Sequence, residues 1–216
     1  MSRLDAMNRE TSPKQARSRA TAERLLSAAI QVIDKFGLEG ATVPRIAAAA
    51  ELSPASVYRR YADKDALLRT ALLHTVESSN QNNRRMLRAR LLKKNLKSTA
   101  AQVIQMLFDQ YQSHPLLMQA LRRYMGAGAD PAFVAEARAI LTANVDEVVA
   151  VLMHHRNEIQ RPDPEHALRF AVLSAACCIE SRALHANSLW HAFTDFTEKS
   201  LARDLTASFV AYLRCS

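Results

Sequence analysis

The stretch TVPRIAAAAELSPASVYRRYADKDALL, Thr42–Leu68, decides the fold. Thr42 is placed to cap a short helix that turns Ile46, Ala47 and Ala50 inward, and Glu51-Leu52 must then be a turn. Ser53-Pro54 opens the next helix, because a serine oxygen accepts bonds from orphan amides and a proline in the first turn gives up no hydrogen bond. That helix ends near Tyr61, and Asp63 caps another carrying the stripe Leu67, Leu68, Ala71, Leu72. Two short helices joined by a tight turn have the form of a helix-turn-helix, whose second helix lies in a major groove of DNA. The residues before Tyr58 are small (Ser53, Pro54, Ala55, Ser56) and allow close approach to base edges. Tyr58-Arg59-Arg60 supplies a phenol and two guanidinium forks suited to phosphate oxygens.

Upstream, Leu25, Ala28, Ala29, Val32, Ile33 and Phe36 form one apolar stripe on a helix, and Gly37-Leu38 supplies a left-handed stop. Residues 1–15 are polar and unpatterned and are expected to be a flexible arm. Downstream, helices are expected over about 98–113, 115–126, 131–157, 163–186 and 194–214, divided by His114-Pro115, Gly126 to Gly128 with Pro131, and Pro162 with Pro164. The reading is all-α, about nine helices in total. It has an arm (1–15), a three-helix DNA-binding domain (16–65) and a ligand-binding and dimerisation bundle (66–216).

Composition agrees. The 216 residues are 49% apolar and 23% charged, which excludes disorder and collagen-like architectures, and only 4 Gly and 7 Pro disfavour strand-rich folds and glycine-loop nucleotide sites. The net charge of +8 favours a polyanionic partner, nucleic acid or an anionic membrane surface. Residues 66–98 hold eight Lys and Arg against the single acid Glu77, whereas residues 99–216 hold ten against twelve acids. The run Arg84, Arg85, Arg88, Arg90, Lys93, Lys94, Lys97 is read as a solvated face, since Arg84 stands roughly 30 Å along a helix from Lys64. Cys177, Cys178 and Cys215 form no disulfide framework, the start lacks a signal sequence, and no run suits a membrane span. A cytoplasmic location is expected.

Thr42 to Leu68, with Leu25 to Gly37 before it, resembles the DNA-binding domain of the tetracycline-repressor (TetR) family of bacterial transcriptional regulators. The matching residues are Thr42, Ile46-Ala47, Ser53, Val57-Tyr58, Tyr61, Lys64 and Leu67-Leu68. Glu51 and Ala55 stand where the family usually has glycine, and Arg60 where it often has an aromatic residue or histidine. The resemblance implies that Thr42, Tyr58 and Lys64 contact phosphates, that Ser53, Ala55 and Ser56 face bases, that Arg59 and Arg60 hold the backbone, and that Tyr61 packs inward. Pro54 is part of the same surface. Arg45, Arg17 and Arg19 are further candidates.

In the same family the second domain binds a small molecule and dimerises through its last two helices. The ligand candidates here are Met106, Tyr111, Met118, Tyr124, Met125, Phe133 and Cys177, and the dimer candidates are Phe170, Leu173, Leu205, Phe209 and Tyr212. No catalytic or metal-binding motif appears, no cofactor is implied, and His154, His155 and Glu158 read as surface residues. The expected molecule is not an enzyme. It is a DNA-binding regulator, in all expectation a repressor, reading a near-palindromic operator on double-stranded DNA as a homodimer and released by an unidentified small-molecule effector, with no membrane partner. The alternative is a basic helical protein that binds small molecules or a membrane surface without specific DNA recognition.

Overall fold

The computed structural model describes residues 13–185, 187–193 and 197–215. Among them there is no strand. The helices are α1 (Pro13–Gly40), α2 (Val43–Ala49), α3 (Pro54–Tyr58), α4 (Lys64–Leu91), α5 (Leu96–Ser113), α6 (Pro115–Tyr124), α7 (Pro131–Leu152), α8 (Pro164–Leu184) and α9 (Glu198–Arg214), with 3-10 segments at Met153–Glu158 and Leu189–His191. The chain divides into two compact units after Leu72.

The first unit buries Leu25, Ala29 and Ile33 of α1, Ile46 and Ala47 of α2, Val57 of α3, and Leu67, Leu68 and Ala71 of α4. The opening turns of α4 therefore belong to this unit, whose limit lies at Leu72 rather than Asp65. Helix α1 begins at Pro13, before the apolar stripe, so residues 13–15 of the expected arm are helical and residues 1–12 lie outside the described residues. Gly37 (φ 68°, ψ 179°) breaks α1 in a backbone region that only glycine enters freely. Phe36 departs from its expected inward place. It is 44% exposed, and the Arg45 guanidinium covers its ring at 4.4 Å.

Between α2 and α3, the Leu52 amide donates to the Ala47 carbonyl at 2.9 Å and the Glu51 amide to the Ala48 carbonyl at 3.1 Å. This pair of bonds is a Schellman motif, which places one residue in left-handed backbone, usually glycine. Here that residue is Glu51, at φ 55°.

The second unit packs α5 against α8 and α9, with α7 beside α8. Its core includes Leu96, Val103, Ile104, Phe108, Val149, Leu152, Leu168, Val172, Ile179, Leu201, Phe209 and Leu213. Asn95, Asp130, Asp163 and Thr197 cap α5, α7, α8 and α9 through side-chain oxygens.

His155 and Glu158 are not loose surface residues. The Glu158 carboxylate accepts the Leu96 amide at 2.8 Å and an N–H of Arg214, while His155 Nε2 meets the Thr99 hydroxyl at 2.8 Å. The 3-10 segment thus ties the start of α5 to the end of α9. The Leu96 amide, then Arg214 and His155, hold the Glu158 carboxyl below its ordinary range. A depressed carboxylate stabilises above its unfolded value and loses that contribution as the pH falls through its folded one.

Two outcomes follow from these contacts. Glu51→Gly removes the left-handed strain, of the order of 1 kcal/mol, and raises the thermal midpoint; a lowered midpoint would show that the turn carries none. Glu158→Gln lowers the midpoint at neutral pH, and its difference from wild type shrinks in calorimetry as the pH falls below the ordinary carboxylate value of 4.5.

Candidate nucleic-acid interface

Helix α3 has five residues, and Val57, 1% exposed, is the one it buries. Everything else on it is exposed or half-buried. Pro54, Ala55 and Tyr58 are exposed, Tyr58 at 58%, while Ser56 is half-buried. Ser53 stands at the N-cap with extended backbone (φ −81°, ψ 149°), and its oxygen accepts the Ser56 amide at 3.3 Å. The two serine hydroxyls lie 2.9 Å apart, and Arg59 donates to the Ser56 hydroxyl at 2.8 Å. Ser53, Ser56 and Arg59 thus form a ladder at three-residue spacing along one side of the stub.

Arg60 reaches back to α1, its Nη1 donating to the Ser18 hydroxyl at 3.2 Å. The oxygen of Asp63 accepts the Ala66 amide at 2.7 Å, which sets the start of α4 and places Lys64, half-buried, in its first turn. Tyr61 is half-buried, and that burial raises its phenol above the ordinary value. Thr42 is exposed at the start of α2 in extended backbone but makes no capping side-chain bond, unlike the expectation from sequence. Pro44 in that first turn gives up an amide that needs no partner.

Arg45 has structural work. Its guanidinium donates to the Gly40 carbonyl and stacks on Phe36. A Cβ on Gly40 would come within 2.6 Å of Phe36 Cβ, so glycine is required there for close approach. Arg17 and Arg19 are exposed on the early turns of α1. Of the basic run, Arg84, Arg85 and Arg88 lie outside the residues with described side chains, and Arg90, Lys93, Lys94 and Lys97 are exposed.

In the second unit the ligand candidates are spread over α5, α6, α7 and α8. Tyr124 and Phe133 pair at 5.8 Å between ring centroids, and Met106 packs against the core. The Tyr111 hydroxyl lies 3.4 Å from a Glu180 oxygen, and burial followed by that carboxylate pushes the phenol far above its ordinary value. Exposed Cys177 is the third member of that group. Met118 receives an N–H from Gln110 at 3.9 Å, and Met125 ends α6. A cleft of about 440 Å³ opens elsewhere, lined by Ser181, Ser188, Leu189, Trp190 and Phe193, none of them among the candidates. The signal that could have found it is the lone tryptophan close to Leu189 and Phe193.

Of the dimer candidates, Phe170 and Leu173 are 53% and 51% exposed on α8, and Phe170 meets Tyr212 of α9 at 5.0 Å. Leu205 and Tyr212 are half-buried, and Phe209, 4% exposed, belongs to the core of its own chain. No helix among the described residues is long and apolar enough to cross a membrane, and none of their His, Cys, Asp and Glu residues group in threes as metal ligands.

Residues 25–71 match the family model of the bacterial regulatory proteins of the tetR family. No curated protein sequence matches the chain. Among solved structures, a tetR-family transcriptional regulator from Streptomyces coelicolor is similar with a TM-score of 0.65 at 17% identity, covering 90% of this chain and 80% of that one. A putative TetR-family transcriptional regulator from Mesorhizobium loti gives 0.64 at 20%, covering 91% and 96%. The transcriptional regulator FadR from Bacillus subtilis, solved in complex with stearoyl-CoA, gives 0.61 at 17%, covering 88% and 98%. At these identities the likeness is one of fold.

The cap on α3 yields a measurable expectation. Ser53→Ala costs about 1 kcal/mol of stability in the first unit, and Ser53→Asp, which keeps an acceptor, recovers most of it in thermal unfolding. Equal losses for the two variants would show that the cap is not what holds the stub.

Proposed function

We propose that this chain, whose N-terminal unit is a tetR-family helix-turn-helix domain, is a transcriptional repressor that binds a near-palindromic operator as a homodimer and is released by a small effector. One observation carries the reading: α3 fixes itself to its unit through Val57 and turns the rest of its surface outward. A stub built this way gains nothing from its exposed Ala55 and Tyr58 unless another surface meets them. The major groove of B-DNA admits a helix, and the small side chains let the backbone come close to base edges.

The roles divide by chemistry. Tyr58, Arg59, Arg60, Lys64 and Thr42 hold phosphates, which fixes position without reading sequence, while Ala55 and Ser56 face bases. Ser53 contributes mainly by capping, since its oxygen is already engaged with Ser56. Arg59 exchanges the Ser56 hydroxyl for a phosphate oxygen when DNA binds, freeing Ser56 for a base edge. Arg45 acts through the shape of the α1–α2 corner.

Dimerisation uses the outer face of α8. Phe170, Leu173 and Cys177 are exposed at a spacing that keeps them on one side, and the exposed Ala207, Ser208 and Ala211 of α9 offer a low surface for close packing. Leu205 and Tyr212 border that face. Helix α4 runs from the first unit into the second and is the covalent path by which an effector-bound second unit favours a different half-site spacing. The chain acts as a regulator in the cytoplasm, with no catalytic step of its own.

Gel shifts against the DNA upstream of its own gene test this. Tyr58→Phe and Lys64→Ala weaken binding to all sequences alike, whereas Ser56→Ala changes preference at one base pair, by about 1 kcal/mol or more. Sequence-indifferent binding at physiological salt would overturn the reading. Phe170→Glu with Leu173→Glu yields a monomer in sedimentation and loses tight operator binding.

A further inference from the structure

The C-terminal end of α8 brings together two features that neither the helix-turn-helix nor the dimer face uses. One is the open cleft of about 440 Å³, with Leu189 80% and Phe193 58% exposed beside Trp190. The other is a group of basic side chains that have no carboxylate partner among the described residues. Arg122 of α6 pairs with His185 Nε2, and Arg182 Nη1 lies 2.9 Å from His191 Nδ1. His191 Nε2 donates to the Arg182 carbonyl at 2.9 Å, so its Nδ1 is left to accept from the Arg182 guanidinium. Among the described residues neither guanidinium forms an ion pair.

This is an unusual way to satisfy arginine. A neutral imidazole nitrogen is a weaker acceptor than a carboxylate, which takes two parallel N–H bonds from one fork. The surroundings make it more so, because residues 99–216 carry twelve acids against ten Lys and Arg, yet among the described residues these cations have no acid as partner. The group is tied to the cleft through α8: His185, the partner of Arg122, stands four residues after the lining residue Ser181 and so on the same side of the helix, and His191 is next in sequence to the lining residue Trp190. The Ser181 and Ser188 hydroxyls, 3.2 Å apart, form the polar seam between apolar wall and cationic rim.

We propose that this cleft binds an amphipathic carboxylate, a small molecule whose apolar body lies against Leu189, Trp190 and Phe193 and whose carboxylate replaces the imidazoles on Arg122 and Arg182. The volume lies in the range of small-molecule sites, and one charged end beside an apolar wall selects an organic acid over a neutral lipid. The inference rests on the regulator reading only in making this anion the effector.

Trp190 is the single tryptophan and lines the cleft, so its emission reports on the site. The probes are dodecanoate and dodecanol, titrated below their aggregation concentrations into the full chain. The expected result is a saturable change in emission with dodecanoate, and binding at least about tenfold weaker for dodecanol. Arg122→Gln with Arg182→Gln brings the two affinities together, and Leu189→Ser weakens both. Equal affinities in the wild type, a preference that survives the double substitution, or no saturable change would overturn the proposal. So would conversion of dimers to monomers by Leu189→Ser, which would make a second copy of the chain the occupant. Because the wild-type comparison needs no variant, a variant that fails to fold leaves the test intact. Gel shifts on the same samples separate the two claims, since intact operator binding without any dodecanoate response removes the site and leaves the repressor standing.

Discussion

A helix of five residues cannot hold itself together in water, because its nucleation cost exceeds what one turn of hydrogen bonds returns. The outward stub of α3 exists only because its ends are fixed from outside. On one side the Leu52 amide closes onto Ala47 and forces Glu51 into left-handed backbone. On the other, Asp63 caps α4 and Arg60 ties the exit of the stub to Ser18 of α1. Val57 is the one apolar anchor between these fastenings. A surface fixed so economically is free to vary its outward residues without cost to the fold, which is what reading different sequences requires.

The same division explains which parts of the chain were legible in its sequence. Helix starts marked by Ser53-Pro54, Asp63, Asn95, Asp130 and Asp163 are local chemistry, and each side chain caps the helix that follows it. Apolar periodicity found Leu25 to Ile33 and Leu67 to Leu72. It overreached at Phe36, where the break at Gly37 leaves the ring outside, to be covered by Arg45. It fell short at the start of α1, whose first turns are polar and carry no stripe.

What sequence could not give was the meeting of distant side chains. His155 and Glu158 look like ordinary polar residues at the end of a helix until Leu96, Thr99 and Arg214 are brought to them by the packing of α5 and α9. Arg122, Arg182 and His191 are likewise scattered over α6, α8 and the segment after it. The ligand candidates chosen by type, methionines and aromatics along the bundle, include core and half-buried positions such as Phe133 and Met106, residue types that fill any helical interior.

The central claim is that two copies of this stub face the duplex at once, and hydroxyl-radical footprinting tests it most directly. On DNA bearing its operator, the account requires two protected half-sites on one face of the duplex, with centres about one helical turn apart, roughly 34 to 36 Å, or a whole number of turns. Protection of a single half-site, or uniform weak protection along the fragment, would contradict it.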